Sequence, residues 1–582
     1  MSDYVFKINC LRVFGVEDPI IPKKINVLIG PNNSGKSTAL KEIRAEILGH
    51  PGRSDSSIHD CTGKIFEATE LNLPSCVEDL ISSYQLDERV ISCEGGGWRV
   101  RDYCNMGKTL SVGGGYVNHY RSQSFGLEFW KKSLQTCLTN PENYGGKREA
   151  TCAALRFFGP SMVDYVGTDD RLLFSLGDQA RGCKDNDYNS LSSVLDSDPD
   201  CNGISKDVRE LFHKDVVLDS VSSRQVVVPV VSESFDEYRA EKDMAKKLSI
   251  LEHATPLYEE GDGFRSFVSI LLSVIGRKKP IMLLDEPEAF LHPPYAKRMG
   301  EMLAVRLLSN EHLESAFIAT HSSYLLRGLL EGHPDDLQVI RLERTGDAAS
   351  ARVLNNDELV ELINRNDYSP KYLDGLFSSE VNLVEAPWDE LIYSRIAMKA
   401  HDDYDGLFVP VNGKHRFAPM KHFYDSAGLR CRAIADFDLL DDAVVFRKTL
   451  GAFGVDGDGC QAFLDVRTRL EETRRDQVGM PKCGHKDLPK AVKKLYKVDA
   501  LKELPEDLID QLNEMICALE KRDLIVLRTG ELESIFVEDG IAYTHLSDEW
   551  LQSALGHIAS IDGEQLARNS AVAPLLGAFG TR

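Results

Sequence analysis

Apolar residues in this chain gather into short unbroken runs, each ending in a glycine, a carboxylate or a histidine. Val27-Leu28-Ile29 runs into Gly30, Ile281-Met282-Leu283-Leu284 into Asp285, and Ala316-Phe317-Ile318-Ala319 into Thr320-His321. An uninterrupted run of this length is the pattern of a strand covered on both faces, whereas alternation would mark a half-solvated one. Stretches with helical spacing lie between them: 37 to about 48, the apolar stretch from Phe267, and 233–254, a surface or lever helix. Strands alternating with helices predict a mainly parallel sheet with helices on its faces, hence an α/β fold. Two strands, 4–13 and 24–29, open the chain around a turn containing Asp18-Pro19.

A second series of runs, 381–384, 431–435 and 524–527, carries carboxylates at or just beyond each end. Between the two series the chain is polar from about 345 to 370 and reads as a linker. From 51 to 240 the pattern is mixed. Gly-rich turns at 95–97 and 113–115 separate short β-like runs, and 185–203 is a polar Asp/Ser/Asn loop. Arg121, Arg171 and Arg181 in this stretch either face nucleotide or DNA or are solvated surface residues. No internal repeat or long heptad run is present.

A length of 582 residues gives room for two or three domains with sizeable cores. The longest largely apolar stretch, 267–275, is too short to cross a bilayer, and the chain opens without an apolar leader, so no membrane role is expected. Thirteen scattered cysteines, an odd number, point to reduced thiols and a cytoplasmic setting. Cys483-Gly484-His485 looks like half a zinc site, but no second pair stands at ligand spacing. The formal charge of −23 argues against a globally nucleic-acid-like surface and leaves room for a local basic groove. Lys482, Lys486, Lys490, Lys493, Lys494 and Lys497, following Arg474-Arg475, form such a run: a phosphate-backbone track for DNA, or a solvated helix face.

Gly30-Pro31-Asn32-Asn33-Ser34-Gly35-Lys36-Ser37 fits G-x-x-x-x-G-K-[ST], with a strand before it and a helix after. Glycines let backbone N–H groups turn inward around phosphate oxygens, the lysine reaches the β/γ-phosphates, and the hydroxyl sits on Mg²⁺. The expected ATP contacts are Gly30, Asn33, Gly35, Lys36, Ser37 and Thr38. Asp285 joins Ser37 in the Mg²⁺ shell, and Glu286 is placed to orient or activate the attacking water.

About 250 residues separate this loop from Asp285-Glu286; a glycine-bearing loop, 260–266, precedes the pair, and a histidine follows on the next strand. This layout resembles the ABC-type ATPase heads of the SMC, RecF and OLD families. The resemblance implies that Gly263 belongs to a signature loop contacting the γ-phosphate held by another subunit, and that His321 senses that phosphate. It also implies that Leu291-His292-Pro293 faces a dimer partner, so that ATP couples two heads in a homodimer or higher homo-oligomer. Glu260 stands where the signature serine is expected, and a carboxylate facing triphosphate is repulsive. Either Ser266 or another donor substitutes, or closure is weak and hydrolysis slow.

In the second series Glu385 and Asp389 come first, then Asp436 and Asp438, then Glu531 and Glu533. Carboxylates two apart on an extended chain point to one side, and hard divalent cations take oxygen ligands. Two such ions can activate a water and stabilise the leaving oxygen of a phosphodiester. The order resembles the Toprim domain of OLD-family nucleases, which fuse an ABC-type head to a C-terminal Toprim domain. The Gabija nuclease subunit and some retron effectors are of this kind. The resemblance implies an ABC-type P-loop head over 1–345 with a dimerisation or regulatory insertion at about 50–240, a linker over 346–375, and a Toprim domain over 376–582. Glu385 would be a metal ligand or general base, Asp436 and Asp438 would hold metal, and Glu531 or Glu533 would complete a second ion. Asp389 matches the family's second acidic position, and Mn²⁺ is an alternative to Mg²⁺. Ala386 replaces the family's usual glycine; Pro387 keeps it extended, where alanine is unstrained. The implied function is an ATP-dependent DNA endonuclease or nickase in bacterial phage defence. A partner protein, or a retron reverse transcriptase with its RNA and single-stranded DNA, is the implied company. The rival is an ATP-switched nucleic-acid-binding sensor or scaffold.

Overall fold

Six strands make the main sheet of the N-terminal half, ordered Val163–Val166, Ile281–Asp285, Ser315–Ala319, Ile25–Ile29, Leu337–Thr345 and Ala348–Val353. The first five are parallel and the last is antiparallel to its neighbour. Ile25–Ile29, Ile281–Asp285 and Ser315–Ala319 are buried at every position, as their unbroken apolar runs require. The register pairs Leu283 with Phe317 and Ile318 with Val27, so Asp285, Thr320 and Gly30 leave the sheet at one edge. Helix Lys36–Ile47 returns from that edge and packs Ala39, Leu40, Ile43 and Ile47 into a core shared with Leu283 and Phe317. A parallel sheet offers its ligand crevice at the carboxyl ends of its strands, and these three elements converge there.

This computed structural model describes residues 4–13, 18–49, 65–77, 79–80, 91–94, 97–101, 109–112, 127–159, 162–168, 172, 175–176, 178–179, 191, 194, 198, 201–222, 226–276, 279–332, 335–345, 348–365, 368–401, 404–479, 490–544 and 547–579. They divide into two compact units, Met1–Pro370 and Lys371–Arg582. Arg121, Arg171, Arg181, Lys482, Lys486 and the Cys483–His485 stretch lie outside the described residues.

Three expectations are corrected. The segment expected to be a linker, 346–375, contains the edge strand Ala348–Val353 and helix Asn356–Ile363, capped by the Asn355 side chain on Asp357 N–H. Its polarity reflects an edge position, and the division between units falls at 370. The region 50–240 is not wholly an insertion, because Val163–Val166 is a strand of the main sheet, too short to stand out as a periodic run. The helix expected over 233–254 is two pieces, Asp236–Ala240 and Met244–Leu251, broken where Glu241 turns extended.

The second unit is built on four parallel strands, ordered Leu407–Pro410, Glu380–Val384, Arg430–Ala435 and Leu524–Val526. Helix Pro387–Ala400 and the C-terminal helices Asp548–Ser560 and Ala573–Phe579 close one face with Ile392, Ile396, Trp550, Ala554 and Leu575. Among the described residues no helix is long and apolar enough to cross a membrane.

Candidate functional site

The phosphate loop is shaped by its two glycines. Gly30 has φ 141°, and a Cβ there would stand 2.1 Å from the Leu342 carbonyl oxygen; Gly35 has φ 89°, and its Cβ would meet the Ile65 side chain at 2.5 Å. Only glycine fits either place. Asn33 adopts φ 62°, which asparagine tolerates better than most residues. Lys36 opens the helix and folds back, Nζ donating to the carbonyls of Gly30 (2.7 Å) and Pro31 (2.9 Å) and to Ser34 Oγ (3.3 Å). Burial pulls its pKa down to about 8, against the pull of Glu286, Glu288 and Asp285. Ser37 Oγ donates to Asp285 Oδ1 at 2.8 Å, which places the hydroxyl and the carboxylate together as the Mg²⁺ reading expects. Tyr165 OH donates to Asp285 Oδ2 at 3.0 Å and fixes the carboxylate from the other side. Thr38 is exposed in the first helical turn. This oxygen-rich pair suits a hard cation, which would supply charge neutralisation for a bound triphosphate.

Beyond Asp285 the chain turns sharply. Glu286 sits at φ 47°, held by its N–H donating to Ala319 O at 2.8 Å, and its Oε1 is 3.5 Å from His321 Nε2. Burial, with Lys36 nearby, lowers the His321 pKa, so the imidazole is neutral at pH 7. Gly263 lies in the first turn of helix Asp262–Gly276, where a Cβ would be 2.8 Å from the Phe290 carbonyl oxygen. Within this chain Gly263 therefore packs on the turn that follows Asp285. Glu260 is bonded through both oxygens to Lys214 Nζ at 2.6 and 2.7 Å, so a cation already answers the repulsion expected of it.

In the second unit Glu385 and Asp436 are the first residues past the ends of adjacent parallel strands, paired Leu383 to Ala433. The Asp436 N–H donates to the Glu385 carboxylate. Burial first, then the charge of Asp438, pushes Glu385 up to about 8. Asp389 rises to about 7 through burial, against the Ala386 N–H that donates to its Oδ2 at 2.7 Å. Asp436 is pushed well above the usual range by burial and by Glu385, Asp389, Asp438 and Glu531. Glu533 is buried and acts on Asp389. The six acids thus form one electrostatic group at one sheet edge.

Cations and hydroxyls already hold several of them. Lys414 Nζ reaches Asp438 Oδ1 at 3.0 Å, Asp438 O at 2.6 Å and Asp441 Oδ1 at 2.8 Å. Glu531 takes Lys497 Nζ at 2.7 Å and Tyr543 OH at 2.5 Å. Among the described residues no three His, Cys, Asp or Glu side chains are grouped so as to hold a metal as they stand. Glu385 Oε1 is nevertheless buried without a hydrogen-bond partner. An orphaned acceptor among mutually repelling carboxylates fits a hard divalent ion, which would relieve the repulsion and supply Lewis-acid chemistry to a phosphodiester.

Lys490, Lys493 and Lys494 are exposed, with Lys493 Nζ 3.8 Å from Asp441 Oδ2. Arg474 and Arg475 do not extend the basic run. Both are buried: Arg474 caps the carbonyls of Ala500 and Lys502, and Arg475 pairs with Glu471 at 2.8 Å.

Residues 217–327, which include Gly263, Asp285, Glu286 and His321, match the family described as "AAA domain, putative AbiEii toxin, Type IV TA system". The phosphate loop, the Ser37–Asp285 pair and the parallel strand order give the first unit the layout of a P-loop nucleotide-binding domain. Solved structures similar to the chain include the Smc head bound to the C-winged helix domain of ScpA, at 11% identity and TM-score 0.33, covering 61% of this chain and 98% of that one. Another is the SMC head domain from Thermotoga maritima, at 13% identity and TM-score 0.28, covering 60% and 98%. A third is the RNase-L Inhibitor, at 11% identity and TM-score 0.25, covering 89% and 84%. Scores this low carry no argument; the strand order of the first unit stands by itself. No curated protein matches the chain in sequence.

Sequence reasoning missed Tyr165, Glu288, Asp441 and Tyr543, and named Lys497 as part of the basic run and not as the partner of Glu531. None of the missed residues stands in a spacing that marks it; each is brought in by strand pairing or by a loop returning to the sheet edge. Gly413-Lys414, which follows an apolar run, is readable from sequence as a further phosphate contact, and the structure sets Lys414 against Asp438 and Asp441.

Proposed function

We propose that the chain is an ATP-regulated, divalent-metal-dependent DNA endonuclease or nickase of the OLD type, its head gating a Toprim-like site in the second unit. The observation that carries this reading is the buried, partnerless Glu385 Oε1 within a group of acids whose pKa values rise together. Uncompensated carboxylates at the carboxyl ends of parallel strands are costly to keep, and a cation-dependent reaction accounts for the cost. Glu385, Asp389, Asp436, Asp438 and Glu533 would hold Mg²⁺ or Mn²⁺, with Glu531 completing the set on release from Lys497. Lys414, next to these acids, would meet a phosphate oxygen, and Lys490, Lys493 and Lys494 would track the DNA backbone. A toxin-like effector fits the description of the matching family, and phage defence would be its setting. Head-to-head assembly through ATP, and a partner protein or retron reverse transcriptase with its RNA and single-stranded DNA, belong to the same proposal.

Plasmid nicking in Mg²⁺ or Mn²⁺ tests it. Asp436→Ala should abolish cleavage while ATP binding persists; equal cleavage by parent and variant would refute the assignment. The second reading, an ATP-switched nucleic-acid-binding scaffold, is favoured by Lys414 and Lys497 already occupying Asp438 and Glu531. It predicts ATP-dependent DNA binding with no cleavage in any metal.

A further inference from the structure

Glu288 lies three residues beyond Asp285 and has no part in the ATP site as read from the motifs. Its Oε1 accepts two hydrogen bonds from the end of the neighbouring strand, from Thr320 Oγ1 at 2.7 Å and from the His321 backbone N–H at 3.0 Å. Thr320 Oγ1 in turn accepts from Ser322 N–H at 2.9 Å, and Thr320 is fully buried. The Glu288 carbonyl accepts from Leu291 N–H at 2.9 Å, and the Glu286 carbonyl from Ala289 N–H at 2.9 Å, so this carboxylate grows from the same tight turn that carries Glu286. Its second oxygen, Oε2, is buried without a partner. An acidic group kept in so poor an environment costs stability unless its geometry is needed.

We propose that Glu288 is a positioning residue of the ATPase site: it clamps the His321 backbone to the turn bearing Glu286, so that the imidazole and the water-activating carboxylate are held as one unit. The two groups sit 3.5 Å apart, yet they belong to different strands and to exposed ends of those strands. Among the described residues, backbone bonds at that edge run from Glu286 N–H to Ala319 O (2.8 Å) and from Thr320 N–H to Leu28 O (3.1 Å), and neither engages His321 itself. A side-chain acceptor that spans the gap supplies the missing restraint. Misplacing a reacting group by about 1 Å costs on the order of 100-fold in rate.

The test uses the full-length protein with Glu288→Ala and Glu288→Gln. Steady-state MgATP hydrolysis, binding of a fluorescent ATP analogue, and hydrogen–deuterium exchange of the 319–323 segment are measured. Glu288→Ala should lower kcat by about 10–100-fold with nucleotide affinity within about threefold, and should speed exchange at the His321 amide. Glu288→Gln keeps an acceptor oxygen in place and should restore both the rate and the protection. Parental hydrolysis in Glu288→Ala would overturn the proposal, and so would a Gln variant as slow as the Ala variant with normal His321 protection. Should Glu288→Ala fail to fold, Thr320→Val removes the second bond that holds the Glu288 Oε1 in place and should likewise lower kcat and speed exchange at the His321 amide. A parental rate there overturns the proposal equally.

Discussion

Replacing Glu385 by glutamine should make the protein more stable. In the folded chain burial and the nearby Asp438 raise this carboxyl from 4.5 to about 8. At pH 7 the unfolded chain has released the proton that the folded chain still holds. Each tenfold change in proton affinity is about 1.4 kcal/mol, so folding carries a penalty of about 3 kcal/mol at that pH. The penalty is absent below the unfolded pKa, grows as pH rises, and is complete only above the folded one. Glutamine keeps the shape, removes the ionisation, and presents amide hydrogens to carboxylate neighbours. Because Asp389, Asp436 and Asp438 share the repulsion and relax together, a gain of about 1–3 kcal/mol is expected at pH 7–8, or roughly 3–8 °C in Tm for a unit of this size. At pH 5 it should shrink below about 1 kcal/mol. Differential scanning fluorimetry in chelator without nucleotide, over pH 5–8, reads this directly. Saturating Mg²⁺ should narrow the gap, since metal binding stabilises the parent more than the variant. A variant no more stable than the parent at pH 8, or a gain that ignores pH, would refute the reasoning that these acids are held together against their own repulsion.

Two further outcomes follow from the first unit. Gly263→Ala puts a Cβ 2.8 Å from the Phe290 carbonyl and must shift the turn carrying Glu286; phosphate-release assays should show about a 10–100-fold loss of hydrolysis with nucleotide still bound, whereas an unchanged rate would show that the contact is not transmitted. Asp215 is fully buried, and although burial raises its pKa, bonds from Arg239, Arg209, Phe235 N–H and Ser205 hold it well below the usual carboxylate range. Its contribution is present above an ordinary aspartate pKa and is lost as pH falls through its own. Asp215→Asn should cost about 3–5 kcal/mol in urea unfolding at pH 7, because two arginines lose the buried carboxylate they share, and the difference should close in strong acid.

The phosphate loop, the Asp285 strand and the strand ending in His321 were legible because each is a buried run finished by an uncommon residue, and such runs leave a continuous signal. The edge strand Val163–Val166 and the paired strands after 337 were not. A four-residue strand is shorter than any period can show, and an edge strand keeps polar residues that mimic a linker. The same limit applies to side chains. Gly263 was found by position, but its contact with Phe290 within one chain depends on helix placement. Arg474 and Arg475 looked like DNA ligands until burial showed them capping carbonyls and pairing with Glu471.

What the sequence determined by itself is a set of side chains attached to strand ends: a lysine and hydroxyl in the phosphate-loop pattern, and three sets of acids in order. Local spacing suffices for that, because each motif spans a few bonded residues. Only the tertiary structure decided that Glu385 and Asp436 share one edge, that Lys414 and Lys497 already answer two of the acids, that Lys214 neutralises Glu260, and that Glu288 reaches the backbone of His321. Those pairings join residues tens of positions apart. They exist because parallel strands in register bring their carboxyl ends to one place, where burial then makes every unpaired charge costly.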